Sequence, residues 1–312
     1  MNFKKPEFWD YSKLSFWSVI LYPFSIIFLL VSLLVRLFKI EKKFPIPIIC
    51  VGNVYVGGTG KTPLALEIFK IIKSNEKNPG FIKKGYDYLY DEIQMLNSAG
   101  KTYSNSNREE AINSLISDKH DVAILDDGFQ DSSIEKDFSI LCFNTRQLIG
   151  NGFLIPSGPL RENFNSIKRA DCIVINGDRN IEFENKIKKI NKNVKIFYSK
   201  YKITNLDKFK NRKVLAFAGI GNPSNFFELL KENYIDLLKT YSFPDHHNYS
   251  KRDFDKIIEE NLDLQPIKVV TTEKDYFRMN DKQKQSCDYV KVDLEIENKD
   301  EFINLIKSKL WK

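Results

Sequence analysis

From about residue 44 onward, short runs of consecutive apolar residues alternate with stretches of helical periodicity. The segments "PIICVG" (47–52), "DVAILDD" (121–127), "FSILCF" (138–143), "DCIVIN" (171–176) and "VKIFYS" (194–199) predict strands. Their apolar residues are continuous rather than alternating, which suits a parallel sheet covered on both faces. Helices are predicted over Pro63 to Lys73 and Arg108 to Ser117, giving an α/β order. A second block opens near Asn205 with strand "KVLAFAGI" (213–220) and a helix from Pro223 to Glu232. It continues with strand "IKVVTTEKD" (267–275) and closes on a helix near Glu301 to Lys309. The lysine-rich "ENKIKKINKNVK" (184–195) reads as a solvated helix face, and residues 74–107 show no regular pattern.

The first 43 residues follow a different rule. Leu14 to Val35, "LSFWSVILYPFSIIFLLVSLLV", is 22 residues without a charge, and Pro23 would kink it. Lys4, Lys5 and Lys13 precede it, and Arg36, Lys39, Lys42 and Lys43 follow. Such a run can cross a hydrocarbon core of about 30 Å or lie along one leaflet. The denser positive cluster on its C-terminal side favours a cytoplasmic body. The expected organisation is therefore a membrane-associated helix (1–43), a phosphate-loop domain (44–204) and a smaller lobe (205–312).

Composition narrows the class. The chain has 312 residues, 42% hydrophobic and 29% charged, as folded proteins do. The net charge of +7 is spread along the chain, and no compact basic stripe interleaved with aromatics points to nucleic acid. Cys50, Cys142, Cys172 and Cys287 form no CxxC pair, so buried free thiols are expected.

Six stretches bear on the chemistry. "VGNVYVGGTGKTP" (51–63) joins a strand to a helix, and Gly57, Gly58, Thr59 and Gly60 let the backbone approach a phosphate. Lys61 would reach the terminal phosphates and the Thr62 hydroxyl would bind Mg²⁺. The usual loop has a glycine where this chain has Tyr55. "AILDDGFQD" (123–131) ends a strand on two carboxylates, hard oxygen ligands about 65 residues after the loop. Strand alternation would send Asp126 and Asp127 to opposite sides. "PDHHNY" (244–249) holds two of three histidines, and a histidine near a carboxylate can help move a proton. The acids of "YDEIQML" (90–96) also suit the first turn of a helix. "GNGFLIPSGPLRE" (150–162) is a site-shaping loop carrying Arg161, and "TTEKD" (271–275) clusters charge at a strand end.

Taken in order, "FW", the apolar segment, "VGNVYVGGTGKTP", "KGYDY", "DE", "LDDGFQ", "NGFLIPSGPLRE", "RADCIVIN", "FAGIGNPSNFF", "FPDHHNY" and "VVTTEKD" resemble the tetraacyldisaccharide 4′-kinase family of lipid A synthesis over nearly the whole chain. That family's loop also lacks the early glycine. Here Lys84 replaces the arginine usual before Gly85–Tyr86, Asp87 follows them, and Ile93 replaces the proline after Glu92. The resemblance implies a phosphate-loop kinase with a smaller second α/β lobe and an N-terminal helix at the cytoplasmic face of the inner membrane. It implies ATP as co-substrate, Mg²⁺, and an acylated glucosamine disaccharide as acceptor. It also implies that Lys61 and Thr62 contact phosphate and metal. Asp126 and Asp127 form the metal pair, with Asp127 the nearer ligand. Asp91 is the base, Glu92 its metal-side neighbour and His246 its assistant, while Gln130 and Arg161 line the site. The rival from another class is a membrane-tethered nucleotide switch, which needs the loop and the aspartates but no base.

Overall fold

The computed structural model describes residues 5–11, 14–86, 89–259 and 267–311. Lys4, Lys13 and Asp87, used above, lie outside them. The elements begin with α1 (Phe16–Leu37), β1 (Ile48–Gly52), α2 (Lys61–Lys73), β2 (Pro79–Lys84), α3 (Tyr90–Asn97), β3 (Thr102–Asn105), α4 (Arg108–Ser117), β4 (Val122–Asp126), β5 (Phe138–Asn144), β6 (Cys172–Asn176) and α5 (Ile181–Ile190). They continue with β7 (Lys195–Ile203), β8 (Lys213–Ala218), α6 (Pro223–Glu232), β9 (Asp236–Ser242), α7 (Lys251–Glu259), β10 (Ile267–Thr272), α8 (Glu273–Arg278), α9 (Asp281–Gln285), β11 (Asp288–Val290), β12 (Val292–Ile296) and α10 (Lys299–Leu310).

Two compact units emerge. One comprises Lys5–Tyr86, Ala99–Lys200 and Leu294–Lys312; the other holds Asp87–Ser98 and Tyr201–Asp293. Thus α3 leaves the larger unit for the smaller, and the C-terminal helix α10 belongs to the larger.

The larger unit carries an eight-stranded sheet in the order β12-β7-β6-β5-β1-β4-β2-β3. β1 sits between β4 and β5, parallel to both. Every residue of β1, β4, β5 and β6 is buried, which is why these strands read as unbroken apolar runs. The chain turns to one side of β1 and then to the other. That reversal leaves a crevice at the carboxyl ends of β1 and β4, where ligands of open α/β sheets bind. Asn107 accepts a hydrogen bond from the Glu109 amide and caps α4, which therefore starts where the sequence predicts.

α1 is long and apolar enough to cross a membrane, with a mean hydropathy of 2.5 and little of its surface covered. Its polar residues are not scattered. Ser18 and Ser25, one heptad apart, are buried against the 150–161 loop. Ser25 Oγ donates to the Leu154 carbonyl (2.8 Å) and accepts from the Ser157 amide (3.1 Å). Asn151 donates to Ser18 Oγ (3.1 Å).

The smaller unit has a four-stranded sheet, β11-β10-β8-β9, with each of its pairs parallel. Its core centres on Val214, Ala216, Phe226, Leu230 and Val270. The strand expected over 267–275 ends at Thr272. There the Thr272 hydroxyl accepts from the Asp275 amide and caps α8, so "EKD" opens a helix rather than closing a strand. All four cysteines are free and buried.

Candidate active site

In the larger unit, β1 delivers Gly52 and Asn53 to a loop that ends on the first turn of α2. Gly57 (φ +113°) and Gly60 (φ +91°) hold left-handed conformations that side chains resist, so the loop can curl there. Asn53 braces the curl by donating to the Gly57 carbonyl (3.2 Å) and Thr59 Oγ1 (2.8 Å). The Asn53 carbonyl accepts from Gln130 Nε2 (2.8 Å) and Arg161 Nη2 (3.1 Å). Gln130 and Arg161 therefore hold the root of the loop.

β4 ends on Asp126, fully buried, whose Oδ2 accepts from Thr62 Oγ1 (2.9 Å) and from Lys83 Nζ (2.7 Å). Its Oδ1 is buried with no hydrogen-bond partner among the described residues. Asp127 follows with φ +64°, outside the strand conformation. Alternation therefore does not apply to the pair, and the expectation of opposite sides fails: Asp127 returns to the same crevice. There Arg161 grips it with two hydrogen bonds (2.7 and 3.1 Å), and Lys61 lies 3.9 Å away. Burial alone would raise the Asp127 pKa, but Lys61, Arg161 and Lys83 hold it well below the usual carboxylate range. Asp126 rather than Asp127 touches Thr62. A threonine hydroxyl and a buried carboxylate with an unused oxygen are a donor set that suits Mg²⁺, which takes one or two protein oxygens and completes its shell with phosphates and water.

Two contributors had weak sequence signals. Lys83 sits in "FIKKGYD" as one of two adjacent lysines, yet its side chain is only 2% exposed. Arg108, at the start of α4, donates to the Asp127 carbonyl (2.6 Å) and to Asp131 (2.9 Å), fixing the turn after β4. The Lys83–Asp126 pair gives a direct prediction. Lys83→Met would leave a buried carboxylate without its cation and cost about 3–5 kcal/mol of stability. Chemical denaturation should show that loss, with most of it recovered in Lys83→Met/Asp126→Asn.

The smaller unit gathers the other sequence motifs. Asp275 is their hub: it accepts from the Gly219 amide (3.1 Å), Tyr249 Oη (2.9 Å) and Arg278 Nη1 (3.1 Å). His246 is placed by its amide on the Gly219 carbonyl (3.1 Å) and takes a left-handed φ of +56°. α3 brings Asp91 and Glu92 into this cluster. Asp91 is buried; its Oδ2 accepts from Arg278 Nε (2.7 Å) and Nη2 (2.5 Å), and His246 Nδ1 is 3.6 Å away. Its Oδ1 has no hydrogen-bond partner among the described residues. Glu92 is paired with Lys274 (2.9 Å), a cation within its own unit. Burial lowers the His246 pKa, helped by Lys274 and opposed by Asp245 and Asp91. Burial pulls Lys274 down as well, but Glu92, Asp91 and Asp245 outweigh it and its pKa stays raised. The geometry pairs a buried carboxylate having one unused oxygen with an imidazole whose pKa burial lowers, a combination able to accept a proton. Lys274 and Arg278 were not singled out from the sequence; their signal was a run of charges just beyond an apolar strand.

Comparison with known proteins agrees with these motifs. The profile of the tetraacyldisaccharide-1-P 4′-kinase family matches residues 17–311. The chain is 44% identical to the tetraacyldisaccharide 4′-kinase of Pelagibacter ubique, over 98% of both chains. It is 32% identical to the enzyme of that name from Rickettsia canadensis, over 98% of this chain and 96% of that one. Among solved structures, LpxK of Aquifex aeolicus in complex with ATP superposes with a TM-score of 0.74 at 24% identity. The match covers 94% of this chain and 99% of that one, and supports the fold. The nucleotide-switch alternative is not favoured by these relatives. Sequence, fold and relatives agree that this chain belongs to the tetraacyldisaccharide 4′-kinase family and is a phosphate-transferring enzyme.

Proposed function

We propose that the chain transfers the γ-phosphate of ATP to the 4′-hydroxyl of an acylated glucosamine disaccharide 1-phosphate, at the cytoplasmic face of the inner membrane. The observation that carries the reading is the match of residues 17–311 to this family, joined to a phosphate loop that keeps Gly60, Lys61 and Thr62 at the start of α2. In this reading residues Gly57 to Thr62 cradle the phosphates: the loop amides and the first turn of α2 point at them and Lys61 offsets their charge. Thr62 and Asp126 would hold Mg²⁺, with Asp127 beside them. When bound, Mg²⁺ supplies Lewis-acid neutralisation of the phosphate oxygens. Asp91 takes the proton of the acceptor hydroxyl on Oδ1. Arg278, clamped to Oδ2, keeps that carboxylate oriented, and neutral His246 supports the transfer. The oxygen so freed attacks the γ-phosphorus as the bond to the β-phosphate oxygen breaks, leaving ADP. The smaller unit, with Asp91 and His246, would carry acceptor chemistry, and the apolar residues of α1 would keep the protein among the acceptor's acyl chains.

The test is transfer of label from ATP to the purified acylated disaccharide monophosphate in detergent. Labelled lipid supports the reading, and free phosphate without labelled lipid refutes it. The state of His246 adds a pH signature. Its neutral form is required, and burial lowers its pKa, so the acid limb of kcat/KM should lie below about pH 6.5. Lys274→Met removes a cation that helps burial lower the His246 pKa, so that pKa rises and the limb should move to higher pH. A limb unmoved by Lys274→Met would show that His246 does not set it.

A further inference from the structure

Tyr55 occupies the position where most phosphate loops have glycine, and it is fully buried. Its ring packs under the loop: Cε1 lies 4.0 Å from where a Cβ on Gly57 would stand. Its hydroxyl donates to Asp10 Oδ1 and accepts from Lys5 Nζ (3.0 Å), and Lys5 is also paired with Asp10. The three residues form a closed triangle between the N-terminal segment and the loop. A second set of contacts fastens the same segment. Trp9 is buried and donates from Nε1 to the Pro156 carbonyl (3.1 Å), while the Asn151 amide donates to the Trp9 carbonyl (2.8 Å). The 150–161 loop is in turn bonded to the phosphate loop. Val56 donates to the Pro159 carbonyl (2.9 Å), Arg161 donates to the Val54 carbonyl (2.7 Å), and Tyr55 bridges Leu160. Ser25 of α1 is bonded to Leu154 and Ser157 in the middle of that loop. Hydrogen bonds therefore run without a break from the apolar helix to the phosphate cradle.

We propose that Tyr55 and Asp10 are positioning residues for ATP: the N-terminal segment clasps the phosphate loop through the Tyr55 hydroxyl and holds it in its nucleotide-binding shape. The usual first glycine lets a loop wrap freely; here a side chain pins the entry strand from below, and Asp10 holds that side chain. The proposal rests on nucleotide use by this loop but not on the identity of the acceptor. It makes ATP affinity depend on Asp10, a residue outside the loop that precedes the apolar helix α1.

The experiment is equilibrium titration of the full chain in detergent micelles with ATP. Wild type is compared with Tyr55→Phe, Asp10→Ala, their double variant and Asp10→Asn, each also melted by circular dichroism. Tyr55→Phe keeps the ring and its packing, so it removes the clasp without emptying the core. Each of Tyr55→Phe and Asp10→Ala should weaken ATP binding about tenfold, the scale for losing one partly buried charge-assisted hydrogen bond. The double variant should be no worse than either single one, because both break the same contact. Asp10→Asn, which still accepts from the hydroxyl, should recover part of the affinity. In the transfer assay KM for ATP should rise while KM for the lipid and kcat at saturating ATP hold. Unchanged ATP affinity in Tyr55→Phe and Asp10→Ala, or fully additive losses in the double variant, would overturn the proposal. A folded wild type that binds ATP tightly but never labels lipid would refute the kinase reading and leave the clasp standing.

Discussion

Asp91→Asn is expected to lower kcat by about 10²–10⁴-fold, the range for losing a positioned general base, while ATP affinity is unchanged. The carboxamide has nearly the shape of the carboxylate and keeps an oxygen for Arg278, so the buried contact survives. What it loses is the ability to take the acceptor's proton. Single-turnover kinetics at saturating ATP and lipid, beside nucleotide titration, separates the two quantities. A variant retaining most of its kcat would move the base to another residue. A variant losing ATP affinity in proportion would make Asp91 a structural group.

Lys61→Ala is expected to lower kcat/KM by on the order of 10³-fold, because the ammonium meets phosphate charge that grows as the bond to the leaving oxygen breaks. Lys61→Arg should restore little, since a planar fork cannot replace a compact ammonium in a tight loop. The loss should fall on kcat as well as on KM for ATP. A rise in KM with kcat intact would mean that Lys61 only binds ground-state nucleotide.

Lys61 was legible in the sequence because it sits in a local motif whose spacing has a physical cause; the role of Asp91 came only with the family resemblance, since "YDEIQML" by itself also suits the first turn of a helix. The strands β1, β4, β5 and β6 were legible because full burial makes them continuously apolar. Helices α4 and α6 start and stop where the sequence places them. The region 74–107 was not legible, because β2, α3 and β3 are short and lie between turns. β2 also buries a lysine, which breaks the apolar pattern for a reason that resides 43 residues away in Asp126. The side of Asp127 was misjudged because a strand rule was applied to a residue in a left-handed turn. The tail of β10 was overextended because Thr272, a good strand residue, serves here as a helix cap. Arg278 and Lys274 act on partners some 180 residues earlier in the chain, and no local pattern announces such a pairing. The serines of α1 were hidden in the opposite way: inside an apolar run they look incidental, and only their burial against the 150–161 loop gives them a purpose.

The most direct test of the central claim is phosphate transfer from ATP carrying γ-³²P to purified acylated glucosamine disaccharide 1-phosphate, in detergent with Mg²⁺, with the product's phosphate located by NMR. The account predicts one label per lipid, on the 4′-oxygen, formed with one equivalent of ADP. Release of free phosphate with unlabelled lipid, or label at a different oxygen of the disaccharide, would contradict it.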